Sequence, residues 1–189
     1  MIPLLLLLAH AHTVEAIPQA TSTEPRSALA RAPGKVSADH DRLDALSGRF
    51  HFERTTTAVP GRPAERATGW SENRWILGDS YLECRLREAG TATDEAAVVT
   101  YGFDLRRRSY FVLAVATRGT SYLNLEGFWD EPTRSLVLLG KDSGDGKTPS
   151  PKLRMILRIE NRDRHVVELW VIVTGRLPQK FSETVFTRE

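Results

Sequence analysis

Trp70-Ser71-Glu72-Asn73-Arg74-Trp75-Ile76-Leu77-Gly78-Asp79-Ser80-Tyr81-Leu82-Glu83-Cys84-Arg85-Leu86 is the stretch whose reading decides the fold. Two runs rich in Trp, Ile, Leu and Tyr meet at Gly78-Asp79, and beyond it Leu82, Cys84 and Leu86 alternate with Glu83 and Arg85. A dipeptide of that kind between two such runs marks a strand, a tight turn and a second strand.

The same unit recurs on both sides. Upstream, Gly48 to Thr57 alternates, with Phe50 and Phe52 on one face, and closes at Pro60-Gly61. Arg66 to Leu77 and Ser80 to Arg87 form the hairpin itself. Downstream come Ala96 to Asp104, Ser109 to Thr117, Ser121 to Asp130 and Ser135 to Gly140, separated by an arginine turn, Arg118-Gly119 and Glu131-Pro132. A Gly/Asp/Ser/Pro loop runs from Lys141 to Pro151. Leu153, Met155, Leu157 and Ile159 then alternate with Lys152, Arg154 and Arg158, the clearest period-two signal in the chain. His165 to Thr174 and Phe181 to Arg188 finish it. About ten strands with short connections predict an all-β, up-and-down antiparallel barrel, because closure removes the exposed edges of so many twisted strands. A β-sandwich is the competing all-β architecture.

One short helix precedes the strands. Ser37 is a candidate N-cap, and Val36, His40, Leu43 and Leu46 share one face before Gly48. Alternate turns of a meander lie at the same end. The helix therefore enters at the end of Gly78, Arg106, Pro132 and Arg162, where it can plug the barrel floor. The longer loops at 89–94 and 141–151 place an open mouth at the other end.

The beginning of the chain reads as an export signal. Five leucines from Leu4 to Leu8 are followed by small residues, with Val14 and Ala16 in a cleavage-site pattern, although the stretch before the leucines carries no Lys or Arg. The run is too short to span a bilayer. The expected organisation is thus a signal peptide over 1–16, a disordered leader over 17–36 and a barrel domain over 37–189. A formal charge of +2 with basic and acidic residues interspersed gives no nucleic-acid footprint. Arg106-Arg107-Arg108 is most simply a solvated turn. Cys84 is the single cysteine, so no intrachain disulfide forms, and its place between Leu82 and Leu86 makes it a buried apolar filler.

Several short motifs in order resemble a family. Trp75-Ile76-Leu77-Gly78 followed by Tyr81-Leu82-Glu83 resembles the opening hairpin of a largely bacterial, lipocalin-like (calycin) domain family of unknown function. Leu43 to Phe50 is similar to its leading Leu-x-x-Leu-x-Gly-x-Trp, with Phe50 in place of Trp. Tyr101-Gly102-Phe103-Asp104 with Tyr110 is similar to its Gly-Tyr-Asp and following Tyr, with the aromatic order altered. Glu126-Gly127 with Asp130 resembles its Glu-Gly-x-x-Asp, and Thr187-Arg188 its closing Tyr-x-Arg, with Phe186 in place of Tyr. The resemblance runs from about Asp39 to the C-terminus. It implies a lipocalin-like barrel and no particular activity.

Candidates for chemistry are few. Glu126, Glu168 and Glu183 lie mid-strand, where an inward carboxylate must be paired and could anchor a ligand; on the outer face each would simply be solvated. Among the strand aromatics, Trp75, Tyr101 and Tyr110 are the expected ligand contacts, with Glu126 or Glu168 as polar anchor. Gly146-Lys147-Thr148 resembles the end of a phosphate loop, but position 141 is Lys141 where a glycine is required, and a strand follows where a helix is needed. Asp142 and Asp145 miss calcium-loop spacing. After removal of the signal His40, His51 and His165 remain, and no two of them stand at metal-ligand spacing; His165 and His51 are the candidates for a single axial ligand should the barrel hold a haem. No cofactor is expected. The expected function is an exported binding protein for a small, mainly apolar ligand held in the barrel, without catalysis. The alternatives are an interaction protein with a filled barrel and an enzyme without a sequence signature.

Overall fold

In the computed structural model, residues 37–57, 63–90, 96–117, 120–144 and 151–189 are described. The expected signal peptide and leader, the turns at Pro60-Gly61 and Arg118-Gly119, and most of the loops at 89–94 and 141–151 lie outside those residues. The elements run α1 (Ala38–Leu43), a 3-10 turn (Asp44–Leu46), β1 (Gly48–Thr56), β2 (Glu65–Ile76), β3 (Tyr81–Glu88), β4 (Ala97–Asp104), β5 (Ser109–Ala116), β6 (Tyr122–Asp130), β7 (Ser135–Asp142), β8 (Lys152–Ile159), β9 (Arg164–Ile172) and β10 (Gln179–Arg188).

Each strand pairs antiparallel with its sequence neighbour, and β1 also pairs with β10, from Phe50 opposite Arg188 to Thr56 opposite Ser182, which closes a ten-strand barrel. The sandwich alternative is excluded by that closure. Successive side chains alternate between interior and exterior. The interior row passes from Asn73 through Cys84, Val99 and Ala114 to Leu123. A second row passes from Leu136 through Leu157 and Val167 to Thr184. Gly69 is also interior and has no room for a side chain, since a Cβ there would run into the Arg87 carbonyl oxygen and lie 2.7 Å from the Phe52 ring.

The helix seals one end. Six residues cannot hold helical structure unaided, so its stability comes from docking: Leu43 and Leu46 are fully buried in the barrel core, each contributing about 2 kcal/mol. Side chains complete the seal. Asn73 Nδ2 donates to the Leu46 carbonyl at 2.7 Å, Trp75 Nε1 to Asp44 Oδ1 at 3.1 Å and the Tyr110 hydroxyl to the Asp39 carbonyl at 3.0 Å. Ser37 takes the N-cap position with extended backbone, but its hydroxyl meets His40 Nδ1 at 2.9 Å and caps no backbone N–H. The apolar face read from Leu43 and Leu46 is therefore the plug.

Candidate functional site

Above the plug the interior is hollow. A cavity of about 190 Å³ extends from Leu46 on the floor to Arg54 near the opposite end. Leu86, Val99, Leu123, Met155 and Leu169 supply apolar wall, while Ala97 and Ala114 are small enough to leave the space open. Such sites combine apolar lining with a few convergent polar groups. Here the polar groups are Asn73, His165, Ser182, Thr184 and Arg54.

Their arrangement follows from strand register. Arg54 lies opposite Thr184 on β10 and forms an ion pair with the largely buried Glu88. One interior step nearer the floor, Phe52, Phe186 and His165 form a continuous row. The His165 imidazole stacks on Phe186 at 4.5 Å and meets Phe50 edge-on at 4.8 Å. Burial, reinforced by the Arg188 charge, pulls its pKa down to about 3, so the ring is neutral at physiological pH. Its Nδ1 is buried and has no hydrogen-bond partner among the described residues. Asn73 is equally informative. With its amide nitrogen committed to the Leu46 carbonyl, its Oδ1 is a buried acceptor and is likewise unpartnered among the described residues. Burial also pushes the Cys84 thiol, which lines the cavity, far above its ordinary pKa.

Of the five residues expected to bind a ligand, one lines the cavity. Tyr101 is buried in its wall. Trp75 and Tyr110 face the interior but belong to the floor, where their polar atoms hold the helix segment. Glu126 and Glu168 stand on the outer face, because their neighbours Leu125 and Leu169 occupy the interior rows. Glu126 pairs with Arg107 at 2.6 Å, and Glu168 accepts from Trp170 Nε1 at 3.0 Å beside Arg158 and Lys180. Glu183 is also external, 2.6 Å from Lys180. No carboxylate of that trio can anchor an interior ligand.

His51 is exposed on the outer wall, 3.5 Å from Glu189, and so cannot ligate anything inside. For His165 the obstacle is space. A cavity smaller than the roughly 300 Å³ at the low end for drug-sized ligands has no room for a tetrapyrrole. Asn73 and His165 were not singled out as interior polar groups. Asn73 shares parity with Trp75, and His165 with Val167 and Leu169, but the signal becomes readable only once each strand's inward face is known.

Fold and cavity together define a closed, floor-plugged ten-strand barrel with a small, mixed-polarity chamber. The chain belongs to the family described as Protein of unknown function (DUF1579), whose model matches residues 35–188. A similar solved structure is that of Rv2717c from M. tuberculosis, with a TM-score of 0.58 and 15% identity, covering 81% of this chain and 98% of that one. That likeness concerns the fold alone. Comparison with curated proteins finds no match.

Proposed function

We propose that this chain is an exported, lipocalin-like binding module that holds a small, mainly apolar ligand inside the barrel and does not transform it. The observation that carries the reading is the cavity between Leu46 and Arg54, whose apolar walls carry a few polar side chains, Asn73, Ser182 and Thr184 among them. Binding is favoured over catalysis because burial keeps the Cys84 thiol protonated and His165 neutral and reluctant to take up a proton. Export rests on the Leu4–Leu8 run and the small residues after it.

Native mass spectrometry of the full chain purified from its source tests this. A co-purified small molecule is expected, and Ala114→Phe, which fills the cavity from β5, is expected to lose it while keeping its circular dichroism. Retention of the same molecule by the folded Ala114→Phe variant would overturn the reading.

A second reading has its own observation. Leu113, Val115, Tyr122, Phe128 and Leu139 share the outer face of β5–β7 and are 43–59% exposed. An apolar face of that kind marks an interaction surface. A phenotype of deleting the chain from its source that Ala114→Phe still complements and Phe128→Lys does not would favour it.

A further inference from the structure

We infer that the barrel docks on an anionic lipid bilayer through its outer rim at the mouth end, from β5 round to the β9–β10 turn. The docking rests on the outer-face reading above, not on the chamber being filled.

Strand register assembles the rim. Val115 pairs with Tyr122 at the mouth ends of β5 and β6, with Leu113 one outer position below. On the following strands Lys141 pairs with Lys152, and Lys152 with Ile172, so two cations continue the outward rows. Beyond Ile172 the turn into β10 carries Val173, Arg176 and Leu177. Leu113, Val115, Tyr122 and Val173 are exposed, and Leu177 is 86% exposed. A leucine so fully in water contributes little to its own fold.

Charge selects the partner. Lys141, Lys152 and Arg176 are exposed and enter no ion pair among the described residues, whereas nearby Lys180 is held by Glu183 and Glu168. Asp142, beside Lys141, is occupied in turn: one carboxylate oxygen accepts from the Ser121 hydroxyl and the other from the Gly144 N–H. Apolar side chains with Lys and Arg among them are the composition of a surface that lies in the membrane interface. The apolar groups enter the headgroup boundary, and the long basic stems reach the anionic phosphates. A barrel wall is convex. Protruding groups on it need only depth from a lipid layer, whereas a protein partner would have to match about 800 Å² in shape.

The floor end lacks this combination. Leu77 and Leu105 are exposed there near Arg106, but Asp79 and Asp104 share the same two turns and Glu126 pairs with Arg107. Docking at the mouth also sets the opening of the chamber against the bilayer, the phase in which apolar molecules collect.

Co-sedimentation of the full chain with vesicles tests the docking, comparing phosphatidylcholine alone with phosphatidylcholine containing about 30% phosphatidylglycerol. The anionic vesicles are expected to bind at least about tenfold tighter, with the preference shrinking at high salt. Each cation near such a surface contributes about fivefold, so Lys141→Glu combined with Lys152→Glu is expected to cost at least about twentyfold. Leu177→Glu is expected to cost about tenfold, and Leu105→Glu, at the floor, nothing. All four sites are exposed, so circular dichroism stays that of the parent. The Leu4–Leu8 run is common to parent and variants and cannot produce these differences.

Equal binding to both vesicle types, binding to neither, or parental affinity in both rim variants would overturn the docking. The Phe128→Lys complementation decides the wider outer-face reading separately. Loss on Leu105→Glu alone would move the contact to the floor and overturn it too. So would a dimer, seen by analytical ultracentrifugation and broken by Leu177→Glu, in a chain that ignores vesicles, since the rim would then belong to a second copy.

Discussion

The indole nitrogen of Trp75 reaches Asp44 Oδ1 at 3.1 Å, linking β2 to the 3-10 turn that forms the barrel floor. Trp75→Phe keeps most of the ring's packing and removes this bond. A loss of about 1 kcal/mol in unfolding free energy is expected, measured by urea denaturation, with ligand affinity unchanged because the ring does not line the chamber. A large loss of affinity with unchanged stability would refute the structural role.

Arg188 acts as a second fastener. Its guanidinium donates to the carbonyls of Ser47 at 2.9 Å, Ala45 at 3.1 Å and Arg162 at 2.8 Å, and it lies 4.6 Å over the Phe50 ring. A planar five-donor group can make these contacts at once, whereas an ammonium cannot. Arg188→Lys is therefore expected to cost about 2 kcal/mol despite keeping the charge. Equal denaturation midpoints for the two proteins would count against this arrangement.

His165 sets an acid limit on stability. Its folded pKa, about 3, lies below the value of about 6.5 in an unfolded chain. Above pH 6.5 neither state is protonated and nothing is lost. Below it the unfolded state binds a proton that the folded state refuses, so stability falls toward pH 3 by up to about 1.4 kcal/mol per pH unit. Glu83 and Glu183, whose pKa values are lowered by hydrogen bonds from Arg85 and Lys180, also lose stability in acid, so a reference protein is needed. Between pH 7.5 and 4.5, His165→Phe should gain about 2.7 kcal/mol relative to the parent. A constant gap across that range would show that His165 titrates freely.

Cys84 should be chemically silent. Its thiol is buried and its pKa strongly raised by desolvation, which removes the reactive thiolate. Modification by a disulfide reagent at pH 8 is expected to be at least about a hundredfold slower in the native protein than in urea, and to follow the rate of structural opening. Rapid native labelling would mean that the β3 wall opens easily.

Strand alternation carried most of the architecture. The Trp70–Leu86 hairpin and the Leu153–Ile159 row are found within a residue or two of where their patterns place them. Facing was harder to read. In β6 large apolar residues occupy both faces, Leu123 and Leu125 inside and Tyr122 and Phe128 outside. Period-two reasoning then has no preferred phase, and Glu126 could be assigned to either side. Trp75 and Tyr110, expected as ligand contacts, do face inward, but whether such a ring lines a cavity or seals a floor depends on its height in the barrel. Asn73 stayed unread, and His165 was considered only as a haem ligand, for the opposite reason: a single polar residue in an alternating strand normally signals the solvent face.

The pairing of β1 with β10 has a consequence for synthesis. Phe50 lies opposite Arg188, so the first strand waits for the tenth before the sheet can close. Until then both outer strands present unpaired backbone groups, and the longest-range contacts come last. A nascent chain would carry this vulnerability until β10 has been made and has left the ribosome.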